Sequence, residues 1–137
     1  MASDKAPRFD ERSPDAEAIE AIAIEAFESI PPALRDHVSN VLIRIQDFPD
    51  AETLEALGLE SPFELLGLYH GVDLTRKSVL DIPDQVDMIF LYRRPLLEFW
   101  AESGDSLGDI VRHVLIHEIG HHFGLSDEDM DAIEKGA

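Results

Sequence analysis

The chain has 137 residues, with 29 Asp and Glu against 11 Lys and Arg, for a formal net charge of −18. That length gives one domain with a modest core, and that charge repels nucleic-acid phosphates and anionic membrane surfaces, so neither is expected as a main partner. There are no cysteines, which excludes a disulfide framework and a thiolate zinc site, so any bound metal must be held by His and carboxylate. No apolar run follows Met1-Ala2-Ser3-Asp4-Lys5 or approaches a bilayer-spanning length, which makes a cytoplasmic protein the expectation.

Residues 1–12 mix charge with Ala and Pro without periodicity, so 1–13 is read as a flexible N-terminal tail and 14–137 as a single domain. Ser13-Pro14 reads as an N-cap followed by proline at the first helical position. Ile19, Ile22, Ala23, Ala26, Phe27 and Ile30 then recur at helical spacing, with Glu17, Glu20, Glu25 and Glu28 between them, which predicts an amphipathic helix packed on the core. Pro31-Pro32 ends it and opens a short second helix through Val38. From Asn40 to Asp47, Val41, Ile43 and Ile45 alternate with Arg44 and Gln46, the pattern of a first strand. Asp50 caps a short helix closing at Gly58, and Ser61-Pro62-Phe63-Glu64 is a capping-box start.

Leu68 to Val72 reads as extended, followed by a turn near Asp73-Leu74-Thr75 and a loop over 76–84. Val86 to Tyr92 is a second clear strand, its apolar run implying cover on both faces. Pro95 opens a helix containing Leu96, Leu97, Phe99 and Trp100, Gly104 ends it, and Ser106-Leu107-Gly108-Asp109 resembles a capping box for the helix that follows. Arg76-Lys77 and Arg93-Arg94 read as solvated loop residues. A last helix, Glu128 to Lys135, closes the chain. Helices first and last with three short strands between them describe an α+β layer in which helices pack on a small sheet of unreadable strand order.

The chemistry concentrates in His117-Glu118-Ile119-Gly120-His121-His122-Phe123-Gly124-Leu125-Ser126-Asp127. Residues four apart on a helix share a face, so His117 and His121 can reach one metal ion, and neutral imidazoles suit Zn²⁺. Glu118 flanks that face, placed to act as general base on a zinc-bound water. Gly124 is a natural point for the helix to end and the chain to turn, bringing up Asp127 as third ligand; the alternatives are an Asp127 that caps the last helix or a ligand from Glu134. The five fixed positions of HExxHxxGxxD coincide by chance in roughly one sequence in several thousand. Val111, Leu115, Ile116, Ile119 and Phe123 project away from the metal as a core surface. Gly120, between the two histidines, marks a close approach by a strand or a substrate.

The other histidines read differently. His113 lies one turn before His117 at the cleft edge, His122 points toward Val111 and Leu115 as a core histidine, and His37 and His70 have no readable partner. Tyr69 and Tyr92 are candidates for polarising a substrate carbonyl, or strand residues packing the core.

Four stretches, Phe27 to Pro32, Asn40 to Asp47, Leu66 to Val72 and Val114 to Asp127, give the chain a resemblance to a family of small bacterial zincin-like proteins, the minimal metalloproteases or possible zinc metallopeptidases, over roughly residues 15–132. The resemblance implies a zincin-like core with a small mixed sheet and the motif helix near the C-terminus, zinc bound by His117, His121 and Asp127, and Glu118 as general base. The motif is also similar to that of the metzincin clan, whose methionine turn has only Met130 as a counterpart here; gluzincins take a later Glu, and Glu128 and Glu134 are the ones on offer. A zinc-dependent peptidase acting on a peptide or protein substrate, held along residues 68–72 or 86–92 as an edge strand, is therefore the leading expectation. A non-catalytic zinc-binding interaction module is the alternative, and a metal-dependent endoribonuclease ranks below both because of the charge.

Overall fold

The computed structural model describes residues 14–38, 41–71 and 87–136. Helix α1 spans Ala16–Glu28, with Asp15 as its N-cap accepting from the Ala18 N–H at 2.9 Å. The start expected at Ser13-Pro14 is thus displaced: a carboxylate is in reach of the free first-turn N–H groups, and Pro14 stays outside, its carbonyl accepting from Arg93 Nε at 2.8 Å. Ile19, Ala23, Ala26 and Ile30 are buried, as the spacing predicts. The short α2, Pro32–Arg35, follows.

Strand β1, Val41–Gln46, alternates half-buried Val41, Ile43 and Ile45 with exposed Leu42, Arg44 and Gln46, so one face of it meets the core. Asp50 caps α3, Ala51–Leu57, accepting from Thr53 N–H at 2.7 Å, and Gly58 closes it at φ 70°. A single 3₁₀ turn, Pro62–Glu64, carries the full capping box of Ser61 and Glu64. Strands β2, Gly67–His70, and β3, Asp87–Tyr92, complete a three-stranded sheet of order β1-β3-β2, with β1 parallel and β2 antiparallel to β3. The molecule is therefore α+β with a small mixed sheet. The turn and loop expected over 73–84, with Arg76-Lys77, lie outside the described residues.

Because β3 is central, its Ile89 and Leu91 are buried while Met88 and Phe90 on the opposite face are half-buried, and both of its edges are paired. It cannot serve as the edge strand proposed for 86–92; among the described residues β2 is the edge nearest the motif. Helix α4 spans Arg93–Ser103, two residues earlier than Pro95 implies. Its first-turn N–H groups have no partner within the helix, so Pro95 fits at the third position, and Arg94 N–H instead donates to the Asp47 carbonyl at 3.0 Å. Arg93 and Arg94 accordingly belong to a helix start and not to a loop: Arg93 pairs with Asp47 at 3.4 Å and Arg94 lies 5.7 Å over the Phe48 ring.

The motif helix α5, Leu107–His122, starts at Ser106, whose side chain accepts from Asp109 N–H at 3.0 Å. It packs on α1 and β2 through Ile110, Val111, Val114, Leu115, Ile116 and Ile119, all buried. The contact with β2 is close: a Cβ at Gly67 would lie 2.7 Å from Val114 Cγ1. Helix α6, Asp127–Gly136, returns against α5. No helix among the described residues is long and apolar enough to cross a membrane.

Candidate metal centre

Helix α5 ends at His122, with Phe123 at its C-cap. Gly124 then takes φ 78°, a backbone that other residues rarely adopt, and Leu125 N–H donates to the Gly120 carbonyl at 2.8 Å, so the chain reverses within three residues. Phe123 therefore leaves the core face expected of it; its ring is 38% exposed and stacks on His37 with centroids 5.2 Å apart. The reversal launches α6 directly. Ser126 caps it, its hydroxyl accepting from Asp129 N–H at 3.0 Å. The role of helix cap, the alternative for Asp127, is thus filled by its neighbour.

Asp127 instead turns to α5, with Oδ1 3.7 Å from His121 Nε2. Donor atoms of His117, His121 and Asp127 all lie within 4.8 Å of one another. A second set of the same kind, His113, His117 and Glu134, shares His117. Glu134 Oε2 is 2.7 Å from His113 Nδ1, and its Oε1 is 3.5 Å from His117 Nε2. Both third-ligand candidates left open by the spacing are therefore beside the motif helix, while Glu128 is exposed and belongs to neither set.

One atom tests whether these residues suit a metal. His117 Nε2 is buried and has no hydrogen-bond partner among the described residues, and a buried imidazole nitrogen left bare is costly. Two imidazoles and a carboxylate are the donor types that catalytic zinc sites use, so the residues fit zinc by chemistry as well as by convergence.

Glu118 does not join either set. It sits on the β2 side of α5, where its Oε1 accepts from Tyr69 N–H at 3.3 Å. Burial raises its pKa above the ordinary carboxylate range, with the Tyr69 N–H and the nearby His121 pulling the other way. The result is a partly desolvated carboxylate, more basic than a free glutamate and anchored through one oxygen to the edge strand. Nothing in the spacing marks Tyr69 N–H as this anchor, because the contact joins residues 49 apart.

Several neighbours take places that spacing alone does not assign. Gly120 faces the buried Met130 of α6: a Cβ there would fall on Met130 Sδ and Cγ, so the close approach comes from a helix and not from a strand or substrate. His122 is exposed, not a core histidine; its ring stacks on Tyr69 with centroids 4.0 Å apart and lies over Gly71, where a Cβ would collide with it. His113 stands at the rim, as expected, and His70 meets the edge of Phe90 at 6.4 Å. Tyr69 donates its hydroxyl to Asp87 Oδ2 at 2.6 Å, and burial followed by that bond raises its pKa. Tyr92 is 2% exposed. Tyr69 thus packs in the core layer with its hydroxyl engaged by Asp87, while Tyr92 is buried with its hydroxyl within the influence of the Glu118 charge.

In comparisons with known proteins, residues 38–137 match a family described as zincin-like metallopeptidase. No curated protein matches the chain. A conserved hypothetical protein from Thermus thermophilus shares the fold at a TM-score of 0.53 and 24% sequence identity, over 80% of this chain and 94% of that one. The matched segment contains all three strands, the HExxH helix and the returning α6, so the chain belongs to the zincin-like metallopeptidase family.

Proposed function

We propose that the protein is a zinc-dependent peptidase in which His117, His121 and Asp127 hold the metal and Glu118 is the general base. The observation that carries this reading is the bare, buried His117 Nε2, in a residue whose donors converge with those of His121 and Asp127. Zinc, when bound, supplies Lewis acidity, which polarises a scissile carbonyl and acidifies water toward neutral pH. Glu118 does the proton work. With Oε1 held by Tyr69 N–H, Oε2 is left to take the proton of the attacking water and return it to the leaving amine. Strand β2, the edge beside Glu118 among the described residues, would pair an extended peptide substrate through main-chain groups other than the Tyr69 N–H, which Glu118 holds.

One observation favours a second reading, a zinc-binding interaction module without catalysis: the hydroxyl of Tyr69, one of the two candidate donors to a developing oxyanion, is already engaged by Asp87. A peptide-library digest separates the two readings. The peptidase cleaves with zinc, stops when a chelator removes it and recovers when zinc is restored. Zinc-loaded protein that cleaves nothing while its melting temperature rises on metal addition is the module.

A further inference from the structure

The set of His113, His117 and Glu134 is more than a spare carboxylate near the first one. The rings of His113 and His117 are neighbours on α5, with centroids 4.1 Å apart, and Glu134 places one oxygen against each. Its place on α6 is built from behind: Arg112 Nη1 donates to the Glu134 carbonyl at 3.2 Å while Arg112 Nε donates to Ser29 Oγ at 3.1 Å. The bare His117 Nε2 is 3.5 Å from Glu134 Oε1, beyond ordinary hydrogen-bond length. A pocket of about 590 Å³ reaches His113 and Glu134, and Asp105 and Asp109 in its wall outnumber the single positive charge of Arg112. It opens onto two of the three side chains, His113 and Glu134.

We propose that His113, His117 and Glu134 form a second divalent-cation position, overlapping the first at His117, so that an ion in either place denies that imidazole nitrogen to the other. The imidazole nitrogen has one lone pair to give. An ion held by His113 and Glu134 is withdrawn from His121 and Asp127. The inference shares with the peptidase reading only the use of His117 as a ligand, and it makes no use of hydrolysis.

The test removes the first set and keeps the second. Metal-stripped parent, a His121→Ala/Asp127→Ala variant and the same variant carrying His113→Ala are dialysed to equilibrium against zinc. Zinc per chain is then read by mass spectrometry and metal-induced stabilisation by thermal melting. The expected result is about one zinc per chain and a rise in melting temperature for the double variant, both lost in the triple. Because His121 and Asp127 are exposed, the double variant keeps its fold, checked by far-ultraviolet circular dichroism. A double variant without zinc beside a parent that binds it overturns the second position and leaves the first standing. Zinc retained by the triple variant also overturns it, since the ion would then sit elsewhere.

Discussion

Gly120 and Met130 set how closely α6 approaches the motif helix. In an unpacked helix, Gly→Ala gains about 1 kcal/mol. Here the new methyl falls on Met130, and overpacking of about 1–3 kcal/mol outweighs that gain. Gly120→Ala is therefore expected to destabilise in urea unfolding. Met130→Ala, which empties a fully buried position, costs about 2–5 kcal/mol, and adding Gly120→Ala to it is expected to restore part of the loss. Additive costs in the double variant would contradict this packing. The glycine signalled a close approach in the sequence, but the visitor could not be read, because Met130 lies on a helix whose other faces are polar.

Tyr92 carries a pH prediction at the same scale. Burial, then the charges of Asp50 and Glu118, push its hydroxyl up to about 12. The unfolded chain releases that proton near pH 10, so the folded state binds the extra proton between about pH 10 and 12. Its stabilising share is fully present below about pH 10 and is lost as pH rises through about 12. Tyr69 is shifted in the same direction, so Tyr92→Phe is expected to remove about one proton from the slope of stability against pH, leaving the Tyr69 share in place. Parallel slopes for parent and variant in alkaline unfolding would contradict the assignment.

Among the elements, those with local end signals were legible. Asp50 and Gly58, Ser61 and Glu64, Gly104 and Ser106 all end or begin elements where their chemistry predicts, since a cap needs only neighbours within one turn. Ser126 was overshadowed by Asp127, which is an equally good cap type one residue later. Ser126→Ala is expected to cost about 1 kcal/mol, as the Asp129 N–H loses its acceptor. If Asp127 shifted back to take over the cap, the variant would lose metal affinity along with stability. An unchanged melting temperature and unchanged zinc content would show that the Ser126 cap contributes nothing. Pro95 misplaced a helix start because proline is tolerated throughout the first turn, and strand order was unreadable because pairing of β1 with β3 joins residues 46 apart in the chain.

At the scale of the whole molecule, the charge of −18 acts on the compact state through self-repulsion. Raising monovalent salt toward physiological strength, where the screening length is about 8 Å, is expected to raise the melting temperature of the metal-free protein by a few degrees. A flat response would mean that the acidic groups are too dispersed to matter. What spacing made legible is how far one helix and its turn reach: that His117 and His121 share a face and that the chain turns at Gly124 to bring Asp127 beside them. What surrounds them was not legible. The Tyr69 anchor, the Met130 contact and the His113–Glu134 pair come from elements that meet only when the chain is folded. The most direct measurement is cleavage of a peptide library by parent and Glu118→Gln, each shown to carry the same zinc. Cleavage by the parent and a loss of about 10²–10⁴-fold in the variant, the usual worth of a general base, are expected. Equal rates, or a zinc-loaded parent that cleaves nothing, would contradict the peptidase reading.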